Sequence, residues 1–346
     1  MIKKNLILIR ANKTKFGGAE VYLSRLSSAL KDLNIEHELV HSSIPKFLPS
    51  WLRVLLFNNQ VCQNKKNDFY FSLERISCPD IYRAGDGVHK VFLSIEKKSK
   101  INLLHKVYLF LEKKCFINSK KIIANSHMIK KEIIDTYNIS SSKIEVIYNG
   151  INLVKPDFGK SYEKLSKEFD IKNDEKILLY VGSGFKRKGV EEFLEIFSKV
   201  QNPRSRAFIV GKEKKISYYK NLAKDLGIVE KVIFTGPRSD VADFYTISDI
   251  FLFPTRYEPF SNVILEAMSF SNVVITTKQN GAHEILEDEF IMNNSKDYSI
   301  VEIIDELLEN QEKMDKIKAQ NLEIVKNFSI EKNVEQTLKV INEVIN

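Results

Sequence analysis

The 346-residue sequence has only three cysteines, eight prolines and thirteen glycines. So little proline and glycine excludes a collagen-like repeat or a linker-rich chain, and three cysteines are too few for a small scaffold held by disulfides. Cys62, Cys78 and Cys115 are odd in number and too far apart for a zinc knuckle, which points to a reducing compartment and to structural roles for the cysteines. The six histidines add no close metal-ligand spacing. No apolar run approaches the roughly 18 residues that cross a bilayer. The start of the chain offers only the short run 6–9 followed by Arg10, which reads as the first strand of a fold and not as a signal peptide. These absences lead us to expect a cytoplasmic protein, at most peripheral at the cytoplasmic face of a membrane.

What is present is enough apolar residue, 43%, for a large core and two domains. Charge is divided unevenly. Residues 1–160 carry 27 Lys and Arg against 14 Asp and Glu, a balance of +13, whereas residues 161–346 carry 26 against 31. The basic half suits an anionic partner: a nucleic acid, an anionic membrane surface or a phosphorylated small molecule. A lysine-rich surface that serves only solubility has the same composition. No single-strand stacking module or major-groove motif accompanies the charge, so nucleic acid is not expected as a partner.

Short apolar runs alternate with helical spacing along the chain. Strands are predicted near 5–9, 35–40, 68–72, 78–83 and 121–124, with helices at 19–30 and, as one long element, 92–116. Ser126 stands where its hydroxyl caps the next helix. A second series begins at 177–181 and continues at 207–210, 232–234, 249–253 and 273–276. Repeated strand–helix units with short connections imply parallel sheets covered by helices. The polar segment 151–174 is the expected boundary, and a last helix over 330–344 lies beyond the second series. Two stretches, 48–57 and 97–114, mix apolar residues such as Trp51, Leu103, Leu104, Val107, Tyr108 and Leu111 with basic ones, as a peripheral membrane surface or a packed core face does.

Chemistry concentrates in the second series. The strand at 177–181 runs into Gly182, Ser183 and Gly184 and then Lys186, Arg187, Lys188 and Gly189. Later comes Arg-Tyr-Glu-Pro-Phe-Ser-Asn-Val-Ile-Leu-Glu over 256–266, in which Glu266 follows Glu258 by eight positions. Ser261 is the expected cap of a helix whose first N–H groups, on Asn262 and Val263, can face an anion. Glu258, on the loop, and Glu266, about a turn into the helix, can reach separate parts of an extended ligand. Surface carboxylates have the same composition, but not the same placement after a strand and around a proline.

This segment resembles the donor-binding signature of retaining nucleotide-sugar glycosyltransferases of family 4. The basic loop at 181–189, the paired Gly17 and Gly18 after the first strand, and Ile-Ala-Asn-Ser at 123–126 extend the likeness over nearly the whole chain. The resemblance implies an α/β fold with two Rossmann-like domains facing across a cleft, the arrangement called GT-B. It implies an acceptor-side domain at 1–155, a nucleotide-sugar domain at 156–325 and a final helix at 326–346 that returns to the first domain. Residues 80–88 look like the corresponding region of glucosyltransferases that build the lipopolysaccharide inner core. Asp86 takes the position where many family members have histidine, and its alternative role is to cap the turn between Gly85 and Gly87.

Carried over residue by residue, the resemblance puts Glu266 on the donor ribose and Lys188 and Arg187 at the diphosphate, with Glu258 at the transferred sugar. Ser261, Asn262 and Val263 would supply the helix start, and Gly17, Gly18 and Gly182 close backbone approach. Asp86, Lys188 and Glu258 are the catalytic candidates. The activity implied is metal-independent transfer of a hexose from a nucleotide sugar, a UDP-linked glucose by preference, without a cofactor, to a lipopolysaccharide or lipooligosaccharide core or related glycolipid. The alternatives are a soluble nucleotide-sugar transferase making a small disaccharide or polysaccharide, a noncatalytic sugar-binding protein and a nucleic-acid-binding protein.

Overall fold

The computed structural model describes residues 5–13, 18–97 and 102–345. The chain divides into two units, Met1–Gly150 with Ile330–Asn346, and Ile151–Ser329. Each is built on a six-stranded, wholly parallel sheet.

In the first unit β1 (Leu6–Ile9), β2 (His37–Val40), β3 (Phe69–Ser72), β4 (Ile81–Arg83), β5 (Lys121–Ala124) and β6 (Ile144–Val146) lie in the order β2-β1-β3-β4-β5-β6. The central strands are short uninterrupted apolar runs because helices cover both of their faces. Side chains alternate between those faces, so neighbouring residues enter different cores. Leu6, Leu8, Phe69 and Phe71 pack with Leu23, Leu26 and Leu30 of helix Gly18–Asp32. Ile7, Ile9 and Tyr70 pack on the other side with Phe57 and Val61 of helix Ser50–Asn64. The last helix, Ile330–Ile345, adds Val334, Val340 and Ile341 to the first of these cores, each side chain contributing roughly 1.5–3 kcal/mol by burial.

Two expectations are corrected here. The single helix over 92–116 is two helices, His89–Ile95 and Leu103–Asn118, because Lys97 takes a left-handed φ of 47° and Asn102 starts a new helix by accepting the Leu104 N–H. Within the second, Leu111 is buried and Leu104, Val107 and Tyr108 are half-buried, whereas Leu103, Phe110 and Ile117 are exposed. The apolar residues singled out in the sequence thus belong mainly to the packed side. Finally, Cys62 and Cys78 form a disulfide, and only Cys115 is a buried thiol. Their 16-residue separation conceals the pairing, which arises because helix Ser50–Asn64 ends where the chain approaches β4, 5.7 Å between Cα atoms. The Ser126 cap is present, with its hydroxyl accepting the Ile129 N–H at 3.2 Å.

The second unit contains β7 (Lys176–Val181), β8 (Ser205–Val210), β9 (Val232–Gly236), β10 (Ile250–Phe253), β11 (Val273–Thr277) and β12 (Ile291–Met292), in the order β12-β11-β10-β7-β8-β9. From β7 the chain moves one way to β8 and β9, then returns to add β10 on the opposite side. The boundary between β7 and β10 is a topological switch point, where open α/β sheets leave a crevice beyond the strands' carboxyl ends. Helix Phe158–Phe169 lies inside the polar segment 151–174; its charged composition hides an inward edge of Ser161 and Leu165. β6, β12 and helices Ile300–Glu309 and Gln311–Val325 also went unrecognised, the strands being only three and two residues long.

Candidate donor site

The loop after β7 and the loop after β10 meet at the switch point. Gly184 and Gly189 have φ of 76° and 81°, a region open to glycine without strain. Gly189 is also the point of contact, since a Cβ there would stand 1.9 Å from the Pro254 carbonyl oxygen at the end of β10. A Gly189→Ala variant should lose roughly 2–4 kcal/mol in urea unfolding, from left-handed strain plus a backbone clash. Gly184→Ala, with open space around its Cβ, should lose only about 1–2 kcal/mol. Equal losses would remove the role assigned to the Pro254 contact.

Between those glycines Arg187 and Lys188 lie on the short helix Phe185–Lys188. The Arg187 carbonyl accepts the Arg256 N–H at 3.0 Å, and its guanidinium donates to the Tyr257 carbonyl at 2.7 Å and to Glu258 Oε2 at 2.5 Å. Glu258 is therefore largely neutralised by Arg187. Lys188 is held differently: its Nζ is 3.9 Å from Glu258 Oε2 and 5.4 Å from the centre of the Phe253 ring. Among the described residues its ammonium makes no hydrogen bond, although the side chain is only 17% exposed. A part-exposed cation that makes no hydrogen bond to the described residues, at a switch point, is available to an anion.

Glu258 is fixed through its backbone as well. Its N–H donates to the Gln279 carbonyl, and its own carbonyl accepts the Gly281 N–H, both at 2.9 Å. Fully buried Asn280 is the hub that the sequence reading missed. Its Oδ1 accepts the N–H groups of Ser261 and Ala282, both at 3.2 Å, and its Nδ2 donates to Thr276 Oγ1 at 3.1 Å. An asparagine in a Gln-Asn-Gly turn carries no signal distinguishing it from ordinary turn chemistry.

Ser261 occupies the position before helix Asn262–Ser269, but its side chain makes no capping bond, which corrects the expected hydroxyl cap. The Ser261 N–H is held instead by Asn280, and Pro259 and Phe260 before it are buried. Asn262 and Val263 follow in the first turn, half-buried. Glu266 is half-buried, and Oε2 accepts the Tyr245 hydroxyl at 3.2 Å. Burial, and then the Glu266 carboxylate, push that hydroxyl well above its ordinary pKa, so Tyr245 stays a donor. Gly182 leaves room for neighbouring side chains: a Cβ would lie 3.1 Å from Lys188 Cδ.

Asp86 belongs to the first unit and has its own electrostatic setting. Arg10, just after β1, reaches it at 3.5 Å, and Arg75, after β3, at 4.0 Å. Arg10 also pairs with Glu20 at 2.9 Å and Glu74 at 3.1 Å. Arg75 binds Glu112 at 3.0 Å and donates to the Gly87 carbonyl at 3.0 Å. Glu112, fully buried, further accepts the His89 N–H and the Tyr137 hydroxyl, each at 2.6 Å. Burial pushes the Glu74 carboxyl above the usual range against the opposing pull of Arg10. The sequence reading gives neither arginine a role; for Arg10, its place directly after the last apolar residue of β1 was the available signal, and Arg75, behind Leu73 and Glu74, carried none. Gly18 opens helix Gly18–Asp32 with nothing within 4 Å of a Cβ, and Gly17 lies outside the described residues. Among the described residues no group of three His, Cys, Asp or Glu side chains is placed to hold a metal ion.

Two family models match the chain: glycosyl transferases group 1 over residues 161–324, and glycosyltransferase family 4 over 86–155. An uncharacterized glycosyltransferase of Methanocaldococcus jannaschii is 30% identical over 49% of this chain and 45% of its own length. The lipopolysaccharide glucosyltransferase WaaG of Escherichia coli is 34% identical over 34% of this chain and 32% of its own. The chain thus spans about half the length, or less, of these curated relatives in the matched sequence. The crystal structure of WaaG, a glycosyltransferase involved in lipopolysaccharide biosynthesis, aligns with a TM-score of 0.81 at 19% identity, covering 97% of this chain and 99% of that one. Anabaena HepE in complex with UDP and glucose aligns with a TM-score of 0.75 at 19% identity, covering 99% and 100%.

Proposed function

For a chain that belongs to the GT1/GT4 superfamily of GT-B glycosyltransferases, we propose transfer of a hexosyl group from a nucleotide sugar to a glycan or glycolipid hydroxyl, with retention of anomeric configuration. The observation that carries this reading is the under-satisfied Lys188 ammonium at the β7–β10 switch point, beside a Glu258 already paired with Arg187. In the reaction the bond from the sugar C1 to the diphosphate oxygen breaks as the acceptor oxygen bonds to C1 on the same face, and the acceptor's proton passes to the departing phosphate. Lys188 offsets the charge that develops on that phosphate, and its effect is greatest in the transition state.

Glu266 receives the ribose hydroxyls, with Tyr245 fixing one of its oxygens. Glu258 faces the transferred sugar, its Oε2 oriented by Arg187. The Asn262 and Val263 N–H groups and Gly182 admit the donor closely. Asp86, held between Arg10 and Arg75, orients the acceptor or the sugar. A UDP-linked glucose donor is favoured by the HepE complex, and a lipopolysaccharide or lipooligosaccharide core acceptor by the likeness to WaaG. A panel of nucleotide sugars, assayed with and without bacterial glycolipid extract, tests donor and acceptor together. Absence of consumption of every donor under both conditions rejects the enzyme reading.

An anionic membrane surface is the partner we propose for the first unit. On helix Leu103–Asn118 the exposed Leu103, Phe110 and Ile117 recur every seven residues, and Lys106, Lys113 and Lys114 are exposed with them. Helix Ser50–Asn64 packs beside it, preceded by Phe47 at 85% exposure. Apolar side chains entering the interface and lysines meeting lipid phosphates act together in such a surface. The helix does not cross the bilayer: among the described residues no helix is long and apolar enough. Vesicle sedimentation should show binding to anionic lipid that weakens with salt and falls several-fold when Lys106, Lys113 and Lys114 become glutamine. Equal sedimentation of parent and variant at low and high salt would leave the lysines as solubilising charge.

A further inference from the structure

Tyr180, the fifth residue of β7, is fully buried beneath the Gly182–Gly189 loop. Its ring stacks on Phe253 with centroids 5.5 Å apart, and Phe185 and Phe193 meet it edge-on at 5.9 Å. Phenylalanine would fill that aromatic setting equally well. The hydroxyl nevertheless sits in it without a hydrogen-bond partner among the described residues, an arrangement that costs stability.

Its surroundings suggest what the hydroxyl is for. A Cβ on Gly182 would lie 3.2 Å from Tyr180 Oη and 3.6 Å from Lys188 Nζ, so the absence of that methyl leaves the two groups facing one small space. The chemistry is complementary, since the hydroxyl oxygen has lone pairs without a donor and the ammonium has N–H groups without an acceptor. Burial, and then the Glu258 carboxylate, raise the hydroxyl's pKa and keep it neutral against the opposing effect of Arg187.

We propose that Tyr180 is a positioning residue for Lys188: when the donor binds, the Oη that has no partner here accepts one ammonium N–H and holds Nζ toward the leaving diphosphate. The inference rests on the donor reading given above. It is tested with Tyr180→Phe, Lys188→Ala and the double variant, using calorimetry with UDP and turnover of UDP-glucose in the presence of bacterial glycolipid extract. Tyr180→Phe should melt no lower than the parent, yet lose about tenfold in kcat with a much smaller change in KM for UDP-glucose. In the Lys188→Ala background the same substitution should change kcat less than about twofold, because the group it acts through is gone.

Gly182→Ala supplies a second variant, since its methyl enters the space shared by Oη and Nζ, and it should lower kcat in the same way. Parent-like turnover in Tyr180→Phe, or an undiminished effect of that substitution in the Lys188→Ala background, overturns the proposal. If Lys188→Ala alone is impaired, the donor reading stands and only the role of Tyr180 falls. If the parent neither binds UDP nor consumes UDP-glucose, both are rejected.

Discussion

Lys188→Ala should lower transfer by about 100- to 1000-fold, the usual consequence of removing one preorganised group from developing negative charge. The reason lies in how the two adjacent cations are used. Arg187 donates to both the Tyr257 carbonyl and Glu258, so its charge is largely balanced within the chain. Lys188, 3.9 Å from Glu258, keeps charge available for an anion. If that charge acts mainly on the leaving phosphate, kcat falls further than affinity for the donor does. Stability should change little, because the ammonium makes no hydrogen bond among the described residues. Rates at saturating substrate are the decisive measurement, and a variant as fast as the parent would remove Lys188 from the chemistry. Parallel assays in chelator should retain activity; a loss restored specifically by a divalent ion would replace this account with a metal-assisted one.

The second large effect belongs to Glu266. Glu266→Ala should weaken nucleotide-sugar binding by about 1.5–3 kcal/mol, through loss of charge-assisted hydrogen bonds to the ribose. It should also destabilise the second unit modestly, because Tyr245 loses its carboxylate acceptor in a buried position. Glu266→Gln separates the two effects. The amide oxygen can still accept the Tyr245 hydroxyl, while the charged acceptor pair is lost, so stability should recover and affinity only in part. Calorimetry with UDP-glucose and thermal unfolding, measured on both variants, test this. Unchanged donor affinity in a folded alanine variant would reject the ribose contact.

Sequence was most informative where chemistry and position lie within a few residues of each other. The strand at 177–181 passing into a glycine and basic loop, and Glu258 spaced from Glu266 around a proline, were readable because turns, caps and helical periods are set by near neighbours. The same locality explains the errors. A polar surface helix such as Phe158–Phe169 shows too narrow an apolar edge, and β12, two residues long, has no period at all. Ser261 has the right residue type in the right position, but Asn280, 19 positions later, holds its N–H and the expected side-chain cap is not made.

The sequence alone determined the alternation of strand and helix, the uneven charge and the two motifs that mark the family. Tertiary structure decided how those motifs are wired. The return of the chain to place β10 beside β7 brings Arg187 onto Glu258 across 71 residues and leaves Lys188 as the available cation. It likewise packs Tyr180 beneath the loop, gathers Ser261 and Ala282 on Asn280, and in the first unit joins Cys62 to Cys78 and places Arg10 and Arg75 beside Asp86. These pairings depend on strand order and on which face each side chain takes, quantities fixed by burial of the whole core and absent from any local window of residues.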